Sequence, residues 1–262
     1  MLKLSNFLIM TLGLAASICA TSQTRPSAVP TSAGNRQKAL VALQRAQRAA
    51  GGLDRLLAVR DLTRQLHLRE NASEVEASET VEAIFPGTIR LTQHFENMEV
   101  TAFFDGIGGW IKSPWGSDDI LPSWQRDAAA QELMRQLELL LQCDQDSRNS
   151  IEYVKSAKVG ENAADVLEIS SPVGGKLRLM IDSASGDVLA LEYPRIGPHG
   201  PAGTVTDYYS DYRKLSNGLR LPFKSRVLAD GHPYMETEVG SVTYNQGLRS
   251  SLLGRKDPIG IK

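Results

Sequence analysis

From residue 61 to residue 244 the apolar side chains return at every second position, in one short run after another. Leu62, Leu66 and Leu68 alternate with Thr63, Gln65, His67 and Arg69. Val75, Ala77, Val81, Ala83 and Phe85 alternate with Glu74, Glu76, Ser78, Thr80 and Glu82, and Ile89, Leu91 and Phe95 with Arg90, Thr92 and His94. A period of two marks strands with one buried face. One long stretch breaks the rule. Within residues 123–143, Ala130, Leu133, Met134, Leu137, Leu140 and Leu141 recur at steps of three and four. That spacing predicts a helix of roughly 20 residues and about 30 Å with one wide apolar stripe. A single amphipathic helix among so many strands has one economical place, over the open apolar face of a curved sheet.

Other segments fill in the plan. Ala39, Leu40, Leu43, Ala46, Gln47 and Ala50 predict a first helix over 36–50, stopped by Gly51-Gly52, with a further turn at 53–57. Asp105-Gly106, Asn217-Gly218 and Asp230-Gly231 read as hairpin turns, and the proline- and glycine-rich segment 195–203 as an exposed loop. Asn71-Ala72-Ser73, a glycosylation sequon, is read as a turn. The fold class expected is mainly β (α+β): a curved antiparallel sheet forming an incomplete β-barrel of about 11 strands, covered by the N-terminal helix and the long central helix.

Residues 1–20 combine Lys3, an apolar run from Phe7 to Ile18 and small residues up to Ala20, the pattern of an export signal. Cleavage near Ala20 gives a periplasmic protein; the alternative is a lipoprotein anchored through Cys19. Residues 21–35 are rich in Ser, Thr, Pro and Ala and are expected to be disordered. Residues 36–250 form one domain and 251–262 a flexible tail. After cleavage Cys143 is the one cysteine left, so no internal disulfide is expected.

Chemistry is sparse. Twenty-nine basic residues against 30 acidic ones leave nothing to neutralise a run of phosphates, so no nucleic acid is expected. His67, His94, His199 and His232 are scattered, without a metal-ligand pair. No G-x-S-x-G elbow or P-loop occurs. Cys143, closing an apolar helix, reads as a small buried hydrophobe and Glu74, Glu76 and Glu82 as a solvated strand face. The chain is therefore read as non-enzymatic, without cofactor or metal.

One motif carries a resemblance. The segment D-G-I-G-G-W-I-K-S-P at 105–114 resembles the D-G-x-x-x-W-x-x-x-P hairpin of the periplasmic lipoprotein-localisation carriers, the LolA/LolB-like superfamily. The order of elements agrees: export signal, helix, strand meander ending at a proline corner (Ile84-Phe85-Pro86), hairpin, lid region, second run of strands. The resemblance implies an incomplete barrel closed by helices around an apolar cavity for acyl chains. It also departs. The carrier has an arginine before the corner proline and this chain has Phe85, so the lid-latching role does not carry over; Arg64, on the apolar side of its strand, is the candidate interior cation.

The function expected is an exported lipid or lipoprotein acyl-chain carrier of the bacterial envelope. The alternative is an envelope sensor using the same barrel to bind a protein partner, with 195–203 as the contact loop. Candidate cavity residues are Phe85, Leu91, Phe95, Phe104 and Trp110 from the sheet and Trp124, Leu133, Met134, Leu137 and Leu141 from the cover; the competing reading is a self-filled core. Trp110, Trp115 and Trp124 fall together at the junction of hairpin and helix and favour binding. Acyl chains, a possible envelope protein and a monomeric state complete the expectation.

Overall fold

The computed structural model describes residues 32–72, 75–96, 98–118, 121–172 and 174–256. The expected export signal, the expected leader up to residue 31 and the tail from residue 257 lie outside the described residues. The N-terminal half contributes α1 (Ser32–Ala49), α2 (Leu53–Leu57), β1 (Asp61–Glu70), β2 (Glu76–Ile84), β3 (Thr88–Phe95), β4 (Met98–Phe104), β5 (Gly109–Ser113) and β6 (Gly116–Asp118). Next come α3 (Ser123–Met134), α4 (Leu137–Leu140) and a short 3-10 turn at Cys143–Gln145. The second half holds β7 (Ser150–Val159), β8 (Asn162–Ser171), β9 (Gly175–Asp182), β10 (Val188–Gly197), β11 (Gly200–Lys214), β12 (Arg220–Ala229), β13 (His232–Tyr244) and α5 (Ser250–Leu253).

All thirteen strands belong to one antiparallel sheet, ordered β6-β5-β4-β3-β2-β1-β13-β12-β11-β10-β9-β8-β7. The two halves join where β1 pairs β13, Leu62 opposite Tyr244 and Leu68 opposite Thr237. The two free edges, β6 and β7, are consecutive in sequence. The chain between them therefore has to cross from one edge of the sheet to the other, and α3 and α4 lie on that crossing. Topology, as much as amphipathicity, makes this segment a cover.

The concave side holds two apolar clusters. One packs Leu43 and Ala46 of α1 and Leu137, Leu140 and Leu141 of the cover against Leu167, Leu177 and Leu179. The other packs Ala129, Ala130 and Leu133 of α3 against Leu62, Val81, Ile89, Leu91 and Phe104. A third, Leu68, Ala77 and Phe95, lies towards the far ends of β1 to β3.

Several expectations need correction. The central helix is not continuous: α3 ends at Met134, and Gln136 takes an extended ψ of 117° before α4 begins. Polar side chains on either side of the break reach opposite walls of the sheet, as described below, and a straight helix would not serve both. The sheet has thirteen strands, including β6, whose three residues are too few to show a period. Segment 195–203 is no loop; β10 and β11 run on until Gly197 pairs Gly200, and Arg195 donates to the Ala202 carbonyl. Helix α1 starts at Ser32, inside the segment expected to be disordered. Leu253 of α5 is buried against Phe103 and Trp110, so the expected flexible tail begins as a packed turn.

The hairpin motif explains itself sterically. The connection after β4 has four residues: Asp105 accepts from the amides of Ile107 and Gly108 with one carboxylate oxygen, and Asp105 N–H reaches the Gly108 carbonyl. Gly109 then pairs Phe104, and a Cβ there would sit 2.0 Å from the Phe103 carbonyl oxygen. Gly109→Ala is expected to lower stability by about 1–3 kcal/mol or more through forced backbone displacement, measured as a shift in the urea midpoint at constant m-value. The Asp230-Gly231 turn behaves as expected, with φ of 51° and 80° as a type I′ hairpin requires.

Candidate functional site

A cavity of about 150 Å³ lies between the cover and the concave face of β1, β2, β3 and β10–β13. Leu66, Leu68, Val81, Leu137, Val227 and Val239 supply apolar lining. A second, wider depression of about 600 Å³ crosses β1, β12 and β13 and is lined mainly from the other face of the sheet, where His67, Glu238 and Lys224, and Arg69, Glu236 and Arg226, lie side by side. This depression is rimmed by charged side chains such as Arg69, Arg226 and Glu236.

The remaining lining is polar, and the break between α3 and α4 organises it. Towards one wall, Arg135 donates to Glu132 at 2.7 Å and to Asp207 of β11 at 3.1 Å. Its guanidinium lies 4.0 Å from the ring centre of Tyr193, whose hydroxyl donates to Asp207 at 3.3 Å. Towards the other wall, Arg64 of β1 donates to the Gln136 side-chain oxygen at 2.8 Å and to Glu138 at 2.5 Å. Tyr244 of β13 donates to the same Glu138 oxygen at 2.6 Å. The break thus ties the cover to both halves of the sheet with charge-assisted bonds, which are roughly twice as strong as neutral ones.

Burial works against the charge of Glu138, which is wholly inaccessible, yet the charge of Arg64 and the hydrogen bonds from Tyr244 and Arg64 together hold its carboxyl below the usual range. Glu79 of β2 is treated differently. Burial first, then the charge of Glu132, push its carboxyl up to about 7, against the pull of Gln93 and Arg135. Its hydrogen bond comes from the neutral Gln93 amide at 2.5 Å. Asp207 is also raised, chiefly by burial, with Arg135 opposing. Burial, with Asp144 adding to it, pushes the Cys143 thiol up to about 12, so at neutral pH it is a protonated, packed side chain.

Of the residues expected to line a hollow, Leu137 lines this cavity. Leu133, Leu91 and Phe104 fill the cluster under α3, Met134 and Leu141 the cluster under α1, and Phe95 the third cluster. Phe85 packs against two of them. Trp110 is on the opposite face: it pairs and stacks with Phe103, ring centres 5.8 Å apart, and its indole N–H donates to the Gly254 carbonyl at 2.9 Å. The reason is register, because any even-length connection sets Trp110 opposite an odd-numbered residue of β4. Trp115 is 69% exposed in the turn before β6 and Trp124 half-buried at the start of α3, so none of the three tryptophans lines the cavity.

Glu79, Gln93, Glu132, Arg135, Tyr193 and Asp207 were not anticipated. A signal was present for three of them. Glu79 falls between Ala77 and Val81, Gln93 between Leu91 and Phe95, and Asp207 between Val205 and Tyr209, each a polar residue in phase with an apolar face. A buried polar group needs a partner, and here the partners come from the cover.

No family model matches the chain, and no curated protein sequence matches it. Solved structures do. A LolA superfamily protein from Nitrosomonas europaea aligns with a TM-score of 0.60 at 13% identity, over 84% of this chain and 98% of that one. This is a LolA-like fold. A Vibrio parahaemolyticus domain assigned to outer membrane lipoprotein sorting aligns at 0.54 and 15% identity, over 84% of this chain and all of that one. A DUF1329 family protein from Desulfovibrio piger gives 0.54 at 12%, over 82% and 96%. On the LolA-like scaffold Phe85 fills the proline corner as an apolar residue, while Arg64, on the neighbouring strand β1, brings the guanidinium to the cover.

Proposed function

We propose that the protein is a non-enzymatic carrier of the bacterial envelope that shelters acyl chains of a lipid or lipoprotein beneath residues 123–145. The observation that carries this reading is the amphiphilic cavity under a jointed cover. The LolA-like fold supports it, as does the assignment of the Vibrio relative to lipoprotein sorting. At about 150 Å³ the cavity is smaller than the ~300 Å³ at which small-molecule pockets begin. The closed form is therefore the unloaded one, and loading moves the cover outward at its joint. Each methylene transferred from water contributes about 0.8 kcal/mol, enough for a partly inserted chain to hold the cover open. Export to the periplasm, with the signal cleaved near Ala20, belongs to the same proposal.

Val239→Trp tests it. Val239 is half-buried and lines the cavity, so tryptophan fills the space from a position where the core is not disturbed. Wild-type protein is expected to bind a fluorescent fatty acid displaceable by phospholipid, and the variant to bind at least tenfold more weakly with its folding unchanged. Equal binding by both, or no displaceable binding by the wild type, would count against carriage.

A further inference from the structure

We infer that Glu79 makes the cover sensitive to pH: once it gives up its proton, its charge opposes Glu132 across the seam between the sheet and α3, and the cover loosens. The inference rests on residues 123–145 being movable, and it adds regulation to that movement.

Geometry carries the argument. Glu79 on the wall and Glu132 on the cover are both buried, at 7% and 9% exposure, and both line one cavity. They belong to different elements, so their repulsion acts between sheet and cover. The cations nearby turn their terminal donors to other acceptors, and of Arg135 the buried Nε is left without a hydrogen bond. Arg135 gives its hydrogen bonds to Glu132 and Asp207. Arg64, from β1, gives its own to Gln136 and Glu138 of the cover. Lys224, from β12, is 3.6 Å from Glu238. From β3 Glu79 receives the neutral amide of Gln93. From β10 and β11 the cavity presents Tyr193, Tyr209 and Asp207, which add no positive charge, and from β13 the uncharged Met235, Thr237 and Val239. Around Arg135 three carboxylates therefore share one guanidinium, and Glu79 is the one it does not hydrogen-bond.

The sign follows from linkage. A carboxyl raised to about 7 in the closed form, from an ordinary value near 4.5, stabilises that form fully at acid pH. This contribution is lost as pH rises through about 7, and the proton leaves to water. Glu132 then faces a charge instead of a neutral acid. The joint at Arg135–Gln136 lets α3 respond without unfolding the cluster that α4 shares with α1.

The test is amide hydrogen exchange over residues 123–142 without lipid, at pH 5.5 and 8.0, each normalised to the intrinsic rate at that pH. In the wild type, protection of the cover is expected to fall on the order of tenfold between the two conditions, the effect of about one pKa unit, while amides of β8 and β9 change little. Glu79→Gln should flatten the response to within about twofold, and Glu132→Gln, which removes the facing charge, should weaken it. A wild-type cover indifferent to pH overturns the inference whatever the variants do. So does an undiminished response in Glu79→Gln, or β8 and β9 losing protection in step with the cover. The experiment contains no lipid, so a pH-responsive cover on a protein that binds none would sink carriage alone, and an unresponsive cover on a lipid-binding protein would sink this inference alone.

Discussion

Replacing Glu138 with alanine is expected to cost on the order of 3–5 kcal/mol of folding stability, because it strands the Arg64 guanidinium in the interior. Glu138 is fully inaccessible and Arg64 only 17% exposed, so water cannot take the carboxylate's place without rearrangement. Tyr244 loses its acceptor in the same step. Urea denaturation at pH 7 gives the difference directly. The double replacement Arg64→Met with Glu138→Leu should recover most of the loss, since it deletes both charges and fills the space. If Glu138→Ala costs less than about 1 kcal/mol, the pair is not what ties the cover to β1. The pH profile adds a check: a carboxyl held below its usual range contributes stability above its unfolded pKa, lost as pH falls through the folded value. The gap between wild type and variant should narrow in strong acid.

Arg135→Ala is the second large effect, and its pH dependence runs the other way. Removing Arg135 leaves Glu132 and Asp207, both buried, without a hydrogen-bonded cation, takes an opposing charge away from Glu79, and removes the cation from the face of Tyr193. Near pH 8 the expected cost is again on the order of 3–5 kcal/mol. Burial already raises the carboxyls of Glu79 and Asp207, and losing Arg135 raises them further. Groups with raised values stabilise the folded form at low pH, so the deficit should shrink as pH falls from 8 towards 5. Thermal unfolding of both proteins between pH 5 and 8 measures this. A deficit independent of pH would mean that Arg135 acts by packing and not by charge.

The architecture could be read from the chain because period two and period 3.6 are both strong signals, and because a cover has to sit on an apolar face. Val81, Ile89, Leu91 and Phe104 share the concave face, as their alternation implied, and Leu133 meets them there. Other features were less legible. The break at Gln136 does not interrupt the apolar stripe, since Leu133, Leu137 and Leu140 remain in phase across it; its cause is tertiary, in Arg64 and Asp207 on strands far away in sequence. Trp110 was placed by its company with other tryptophans, when the pairing arithmetic with Phe103 gave its face. The polar belt was overlooked for a related reason: one glutamate among alanines and valines looks like noise until its partners from other strands are known. The cover's stripe was expected to roof a greasy hollow, whereas most of it completes the two cores, and the space left is small and partly polar.

Native mass spectrometry of the protein extracted gently from its own envelope bears most directly on the claim that the jointed cover closes over an acyl chain. The account predicts a population carrying an added mass that dissociates as a lipid, and its loss in Val239→Trp purified side by side. A wild-type protein recovered entirely without such a mass, and unable to take one up from detergent-solubilised lipid, would contradict it.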